Sequence, residues 1–123
     1  MATVLVIENN MASMTLAVFL LRQNDHTVLS AMDAEVGLAV AREAHPSLVL
    51  MDIELPGMDG LTATMRLKSD EATRDIPVLA LTGLPMKGDA EARIRAAGCD
   101  GYITKPMRYK EFLDAVAAQL KAA

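Results

Sequence analysis

The sequence predicts an α/β domain in which helices cover both faces of a five-stranded parallel sheet, a doubly wound arrangement of five βα units. Two observations lead to this prediction: short continuous apolar runs recur along the chain, and stretches of helical spacing separate them. With 123 residues, 52% of them apolar, the chain has room for one core and not for two. We therefore expect residues 1–123 to form a single domain.

The strands are marked by runs of Val, Ile and Leu that show neither the twofold period of a half-buried strand nor the period of a helix. The first, third and fourth runs are strong and the other two are weaker: Val4–Ile7, Thr27–Leu29, Leu48–Met51, Val78–Leu81 and Gly101–Ile103. Such runs fit strands that are buried on both faces. The connections between them are long enough for right-handed crossovers, which place helices on both sides of the sheet.

Helical stretches follow the strands in turn, and the first and last carry an apolar stripe at the spacing of one helical face. The stripe residues are Met14, Ala17, Val18 and Leu21 in the first, and Tyr109, Phe112, Leu113, Val116 and Leu120 in the last. The three stretches between them, 34–44, 60–70 and 87–97, are less regular but have helix formers and boundary signals. Asp59, directly before Gly60, is predicted to be a helix N-cap.

The composition excludes several classes of protein. Cys99 is the one cysteine, so no internal disulfide forms and a reducing compartment is expected. No apolar run is long enough to cross a membrane and no signal segment opens the chain, so we expect a cytoplasmic protein with no membrane partner. The net charge is −4, and residues 85–123, with seven basic and five acidic side chains, carry only +2, too little to bind nucleic acid.

Polar residues follow the strands at one edge of the predicted sheet. Glu8 and Asn9 follow the first strand, Asp52 follows the third, and Thr82 and Lys105 follow the fourth and fifth. Ligands of open α/β sheets bind outside the carboxyl ends of the strands, near the point where the strand order reverses. We therefore expect these side chains to meet in one pocket.

This set of side chains suits phosphoryl transfer. The Asp52 carboxylate can attack phosphorus and form an acyl phosphate. Mg²⁺, which prefers oxygen ligands, would reduce the repulsion between the two anions. Lys105 would place a positive charge against the phosphoryl oxygens, and Thr82 would donate a hydrogen bond to one of them.

Four stretches together resemble the receiver domains of two-component response regulators over essentially the whole chain. They are VLVIENN at 4–10, LVLMDIELPGMDG at 48–60, VLALTG at 78–83 and GCDGYITKPM at 98–107. The order and spacing of their polar residues match the family motif, and the last region looks most like single-domain receivers of the DivK and CheY type. The resemblance implies a flavodoxin- or CheY-like fold without an output domain, acting as the phosphoacceptor module of a two-component phosphorelay.

The resemblance implies a role for individual residues of the predicted pocket. Asp52 would accept the phosphoryl group, with Thr82 and Lys105 in contact with it. The Mg²⁺ ligands would be Glu8, Asn9, Asp52 and the backbone carbonyl of Glu54. The protein would catalyse only its own phosphorylation and a slow hydrolysis, so it would not be an enzyme that acts on other substrates.

The resemblance also implies a switch and its partners. Tyr102 would swing inward when Thr82 moves toward the phosphoryl group, and a cis peptide bond would join Lys105 to Pro106. The change would reach the surface formed by the fourth helix, the fifth strand and the fifth helix, which binds or releases a downstream protein. The phosphodonor would be a histidine kinase or a histidine phosphotransferase.

One position departs from the family pattern. Receivers carry two adjacent acids after the first strand, and here the second position is Asn9. An amide oxygen can coordinate Mg²⁺ but brings no charge, so Glu8, Asp52 and Lys105 leave a formal site charge of −1. We therefore expect Mg²⁺ to bind weakly. The alternative is a degenerate receiver that binds proteins without being phosphorylated.

Enzymatic functions fit these residues less well. A flavin or dinucleotide site would need a glycine- or hydroxyl-rich loop after the first strand, and residues 8–11 contain no glycine. A phosphatase with an aspartyl nucleophile would need a second acid for proton transfer and a cap over its substrate. Glu54 matches that acid poorly, and 123 residues leave no room for a cap. Glu54 and Leu84 are instead predicted to flank the site.

Overall fold

A computed structural model of the chain describes residues 2–83 and 89–122. Within these residues strands and helices alternate as the apolar runs predict. In chain order they are β1 (Thr3–Ile7), α1 (Met11–Gln23), β2 (Thr27–Ala31), α2 (Ala34–Ala44), β3 (Leu48–Asp52), α3 (Gly60–Ser69), β4 (Val78–Thr82), α4 (Ala90–Ala96), β5 (Gly101–Thr104) and α5 (Tyr109–Ala122). In these two ranges no helix is both long and apolar enough to cross a membrane.

The strands form one parallel sheet in the order β2-β1-β3-β4-β5, so the predicted doubly wound fold is confirmed. The chain moves outward from β1 to β2 and then returns to build β3, β4 and β5 on the other side of β1. The strand order therefore reverses between β1 and β3. Doubly wound sheets bind ligands at the carboxyl end of this reversal.

Two apolar cores, one on each face of the sheet, join it to the helices. In β1, Leu5 and Ile7 enter the core shared with α2, α3 and α4, whereas Val4 and Val6 enter the core shared with α1 and α5. β3 and β4 are buried along their whole length. Burial on both faces explains why the apolar runs show no twofold period.

Side chains cap the first three helices. The Asp59 carboxylate accepts the N–H of Thr62 at 2.9 Å, which confirms the predicted N-cap of α3. Asn10 and Asp33 cap α1 and α2 in the same way. Because Asn10 follows the end of β1 by three residues, α1 begins at the carboxyl edge of the sheet.

The structure corrects several predicted details. β3 and β4 extend through Asp52 and Thr82, which the sequence placed just after the strands, because the pairing of β3 with β4 reaches Asp52 and the pairing of β4 with β5 reaches Thr82. Tyr109 is 60% exposed and does not belong to the buried stripe of α5, whose buried face begins one turn later at Phe112. α4 is shorter than the predicted 87–97, of which residues 87 and 88 lie outside the described residues.

α3 begins directly against the strand end that carries Asp52. Gly60 donates its N–H to the Ile53 carbonyl at 3.2 Å. A Cβ at Gly60 would lie 2.6 Å from Ile53 Cα and would collide with the Asp52 carbonyl. Only glycine permits so close an approach between the helix and the strand end. This packing fixes the main chain on which Asp52 sits.

We expect Gly60→Ala to destabilise the fold more than Gly37→Ala. The added methyl group meets main-chain atoms at Gly60, whereas at Gly37 it meets the Ile7 side chain, which can adjust its position. Inside α2, the better helix propensity of alanine also offsets part of the cost. Urea denaturation is expected to show a loss of about 1–3 kcal/mol in the unfolding free energy of Gly60→Ala. Equal losses for the two variants would contradict this interpretation.

Candidate functional site

The predicted polar residues lie together at the carboxyl edge of the sheet. Glu8 follows β1, Asp52 ends β3, Thr82 ends β4 and Lys105 follows β5. Glu8, Asp52 and Thr82 have exposed fractions of only 0%, 2% and 0%. The two carboxylates among them, Glu8 and Asp52, need a partner of opposite charge because burial removes them from water.

Lys105 is the partner of both buried carboxylates. Its Nζ lies 2.6 Å from Glu8 Oε1 and 3.3 Å from Asp52 Oδ2. Burial lowers the pKa of Lys105, but the hydrogen bond to Glu8 and the charges of Asp52 and Glu8 outweigh this effect and raise the pKa above its ordinary value. The lysine therefore remains charged and holds the two acids together.

Glu8 is fully buried in this pocket. Its pKa is raised to about 6, chiefly by burial and by the hydrogen bond with Asp52, against the lowering effects of Lys105 and the Asn10 N–H. That N–H is 3.2 Å from Glu8 Oε2. Two carboxylates and one ammonium thus share a small volume, and this balance of charge favours an added cation.

The Asp52 carboxylate is held on two sides. Its Oδ1 accepts the Glu54 N–H at 2.9 Å, and its Oδ2 faces Lys105. Asp52 pairs with Leu81 in the register of the sheet, so Thr82 lies one residue further along the neighbouring strand. The Thr82 carbonyl accepts the Lys105 N–H at 2.8 Å, which joins the end of β4 to the residue after β5.

The oxygen donors at this edge are the buried carboxylates of Glu8 and Asp52 and the exposed side chain of Asn9. Glu8 Oε1 is paired with the Lys105 ammonium at 2.6 Å. In residues 2–83 and 89–122 no three His, Cys, Asp or Glu side chains are placed to hold a metal ion together. A set of oxygen donors with two carboxylates nevertheless fits Mg²⁺, which needs only one or two and keeps several waters.

The Glu54 side chain makes a contact that the sequence analysis missed. Its Oε1 accepts the N–H of Gly83, the residue after β4, at 3.3 Å. From the sequence, Glu54 is predicted to flank the site and to offer its backbone carbonyl to Mg²⁺. A signal was present, because an acid two positions after Asp52 stands on a loop at the same edge as Gly83. Leu84, also predicted to flank the site, lies outside the described residues.

Tyr102 lies next to the strand that carries Thr82. It is half-buried in β5 and packs against the core on the side of α2, α3 and α4. Its partner in the register of the sheet is Ala80, two residues before Thr82. The peptide bond between Lys105 and Pro106 is cis. Tyr102 thus joins the strand of Thr82 to the helical layer that contains α4.

Comparison with known proteins identifies relatives of this fold and site. A family model for the response regulator receiver domain matches residues 4–117. The polar-differentiation response regulator DivK of Brucella ovis is 41% identical over 118 residues, which are 96% of this chain and 95% of that protein. The receiver domain of a sensor histidine kinase from Pseudomonas aeruginosa, solved with magnesium in its active-site cleft, is 27% identical over 98% of each chain, with a TM-score of 0.89.

The chemotaxis response regulator CheY4 of Vibrio cholerae has a TM-score of 0.90 over 97% of this chain and 98% of that one; at 22% identity it shows the fold alone. The family match includes residues of all five strands and contains Glu8, Asp52, Thr82 and Lys105. The identity with DivK extends over nearly the whole chain. This chain therefore belongs to the response regulator receiver domain family of two-component signalling.

Proposed function

We propose that this receiver is the phosphoacceptor of a phosphorelay, in which Asp52 takes a phosphoryl group from a histidine kinase or a histidine phosphotransferase with Mg²⁺ bound. One observation carries the proposal: a buried carboxylate is held between the Glu54 N–H at 2.9 Å and the Lys105 ammonium at 3.3 Å. A carboxylate whose orientation is fixed in this way needs little reorganisation before it attacks phosphorus.

In the transfer step, an Asp52 carboxylate oxygen bonds to phosphorus as the bond between phosphorus and the donor nitrogen breaks. The electron pair of the broken bond stays on the donor imidazole. The Lys105 ammonium faces the negative charge of the phosphoryl oxygens, and Thr82 offers its hydroxyl to one of them. Both residues act by position and charge, which is most of what phosphoryl transfer requires.

Incubation with acetyl phosphate and Mg²⁺ is expected to add the mass of one phosphoryl group to the protein. Asp52→Asn should abolish the gain, because the amide removes the nucleophilic carboxylate. Intact mass spectrometry measures both. Asp59→Asn is the matched control, since Asp59 caps α3 and does not contact Lys105 or Glu8, and it should gain the mass as wild type does.

A second candidate function is a degenerate receiver that binds proteins without phosphorylation. The observation in its favour is Asn9, an uncharged side chain directly after Glu8, which leaves Glu8 and Asp52 as the buried carboxylates among the described residues of the pocket. A wild-type protein that gains no mass from acetyl phosphate at high Mg²⁺ would favour this function over the first.

We propose Glu8, Asn9, Asp52 and the backbone carbonyl of Glu54 as the ligands of Mg²⁺. The bound ion supplies positive charge to the phosphoryl oxygens. The two acids are buried and Asn9 is exposed, which supports a site that opens toward solvent through Asn9. Because the Asn9 amide carries no charge, the site holds the cation weakly.

Asn9→Asp is expected to tighten Mg²⁺ binding about 10- to 100-fold, which corresponds to about 1.4–2.8 kcal/mol. The added carboxylate raises the negative charge of the pocket beside the cation. Isothermal titration calorimetry measures the affinity. Gln23→Glu adds the same charge at the far end of α1 and should leave the affinity unchanged. Equal affinities of wild type and Asn9→Asp would refute the expected weakness.

We propose that Thr82 and Tyr102 transmit phosphorylation to the surface formed by α4, β5 and α5, where a downstream protein binds. Tyr102 supports this path because it lies on the strand next to that of Thr82 and packs toward the layer of α4. The output is then a change in protein binding. Because the chain covers 95% of the related DivK, we propose that this domain acts through its own surface.

Tyrosine fluorescence can follow this switch, since the chain has two tyrosines and no tryptophan. Tyr109 is 60% exposed, so Tyr109→Phe leaves Tyr102 as the reporter at little cost to packing. In that protein, acetyl phosphate and Mg²⁺ are expected to change the emission. Adding Thr82→Ala should remove the change in emission when the two proteins are compared at the same extent of phosphorylation, which intact mass spectrometry measures. A change in emission that survives Thr82→Ala would contradict the proposed path.

A further inference from the structure

The helix α1 is apolar on two faces. Its inner face, which includes Ala17 and Leu21, is buried in the core that α1 shares with α5. Its outer face carries large apolar side chains that remain in water, since Met11, Leu16 and Phe19 are 62%, 38% and 55% exposed. A helix that is apolar all round is normally buried all round. The outer face of α1 is therefore suited to contact another molecule.

The outer face forms a continuous stripe along the helix. Exposed residues follow one another at intervals of four, three and four positions: Ala12, Leu16, Phe19 and Gln23. This is the spacing at which two helices pack along a common seam. Phe19 projects from the stripe, and the surface hollow on its N-terminal side is lined by Met11, Ala12 and Leu16. A large apolar side chain from a second helix would fill that hollow.

The charges of α1 lie at its ends. Residues 11–21 contain no charged side chain, and Arg22 is the one charged residue of the helix. Arg22 is exposed and forms no ion pair within the described part of the chain. The other end of α1 begins at the carboxyl edge of the sheet, where Glu8, Asp52 and Lys105 leave a formal charge of −1. The stripe thus has a positive end, an uncharged middle and a negative end.

This pattern is complementary to itself when two copies lie antiparallel. We propose that a second copy of this chain packs against α1, with the two helices antiparallel about a twofold axis near Thr15 and Leu16. Phe19 then faces the partner's Ala12, so a large side chain meets a small one. Arg22 lies against the negative edge of the partner, and like charges do not meet along the stripe. A twofold interface uses the same patch on both copies in this way.

The stripe is short, so the association is expected to be weak. From Ala12 to Gln23 the helix rises about 17 Å. Two helices that touch over this length bury less than the roughly 800 Å² per partner of a standard interface. We expect a dissociation constant on the order of 100 µM, measured by sedimentation equilibrium of the full chain. The interface lies outside the phosphorylation site, so this inference does not depend on the proposed phosphorylation of Asp52.

Substitutions on the stripe test the contacts. Phe19→Ala is expected to raise the dissociation constant at least about tenfold, because it removes the largest side chain of the interface. Met65→Ala is the matched control, since it removes a side chain that is 48% exposed from α3 and should leave the constant unchanged. Arg22→Glu should raise the constant about two- to fivefold, whereas Arg22→Lys keeps the charge and should not. Circular dichroism checks that each variant is folded.

Disulfide formation between copies tests the antiparallel geometry. Cys99 is the one cysteine of the chain and is buried, so an introduced cysteine reports on its own position. Thr15→Cys lies near the proposed axis and should link two copies under mild oxidation. Gln23→Cys lies on the same stripe but about 20 Å or more from its counterpart, so it should not form a link.

Three outcomes would overturn the inference. A wild-type protein that stays monomeric up to about 1 mM would show that the outer face of α1 serves a different partner. A dimer with the same dissociation constant in wild type and Phe19→Ala would use another surface. A link that forms as readily in Gln23→Cys as in Thr15→Cys would exclude the antiparallel arrangement.

Discussion

Two buried carboxylates that share one ammonium are the constraint on which this structure depends. Removing an ionised group from water costs on the order of several kcal/mol, and Glu8 and Asp52 are both almost wholly buried. Lys105 offsets this cost only because it reaches both acids. It follows β5, whereas Glu8 follows β1, so its side chain spans the ends of β3 and β4. The sheet must therefore keep four strand ends in register.

The strand order explains why a charged pocket is tolerated at this edge. Both faces of the sheet are covered by helices, and the inner strands are buried along their length, which leaves no place for a charge between the layers. At the carboxyl edge the connections from β1 and β3 diverge toward helices on opposite faces. α1 begins after its Asn10 cap, and α3 begins against Ile53 through Gly60. Asp52 lies where these connections diverge, which is the place at which open α/β sheets bind their ligands.

Patterns among neighbouring residues predicted much of this arrangement. Most of the features that they did not predict are contacts between residues far apart in the chain. Apolar runs and caps such as Asp59 follow from neighbouring residues, and they located the strands and the start of α3. The Glu54 contact with Gly83 depends on how two residues 29 positions apart approach each other; the sequence indicates that both lie at one edge of the sheet but does not give the distance between them. The same holds for Asp100, whose carboxylate accepts the Val78 N–H at 2.8 Å and pairs with Lys68 at 3.1 Å.

Tyr109 shows a different limit of sequence reasoning. Its spacing from Phe112 fits an apolar stripe, but periodicity identifies a helical face without saying how far along the helix the core extends. Asp52 and Thr82 were placed one residue outside their strands for a related reason. A polar side chain at a strand end suggests a loop residue, although the main chain of Asp52 still pairs with β4 and that of Thr82 with β5. Side-chain polarity and backbone hydrogen bonding thus mark different boundaries.

Asn9 changes the balance of charge on which the pocket depends. With Glu8, Asp52 and Lys105 the formal charge is −1, so the lysine neutralises half of the charge of the two acids. A cation that enters must compete with Lys105 for the same oxygens, Glu8 Oε1 and Asp52 Oδ2. In the proposed function, a phosphoryl group on Asp52 would add negative charge and reverse this preference. Binding of the cation and phosphorylation would then be linked, so that each favours the other by the same free energy. With the uncharged Asn9 in the pocket, that linkage, rather than the resting pocket, would be the main source of affinity for the ion.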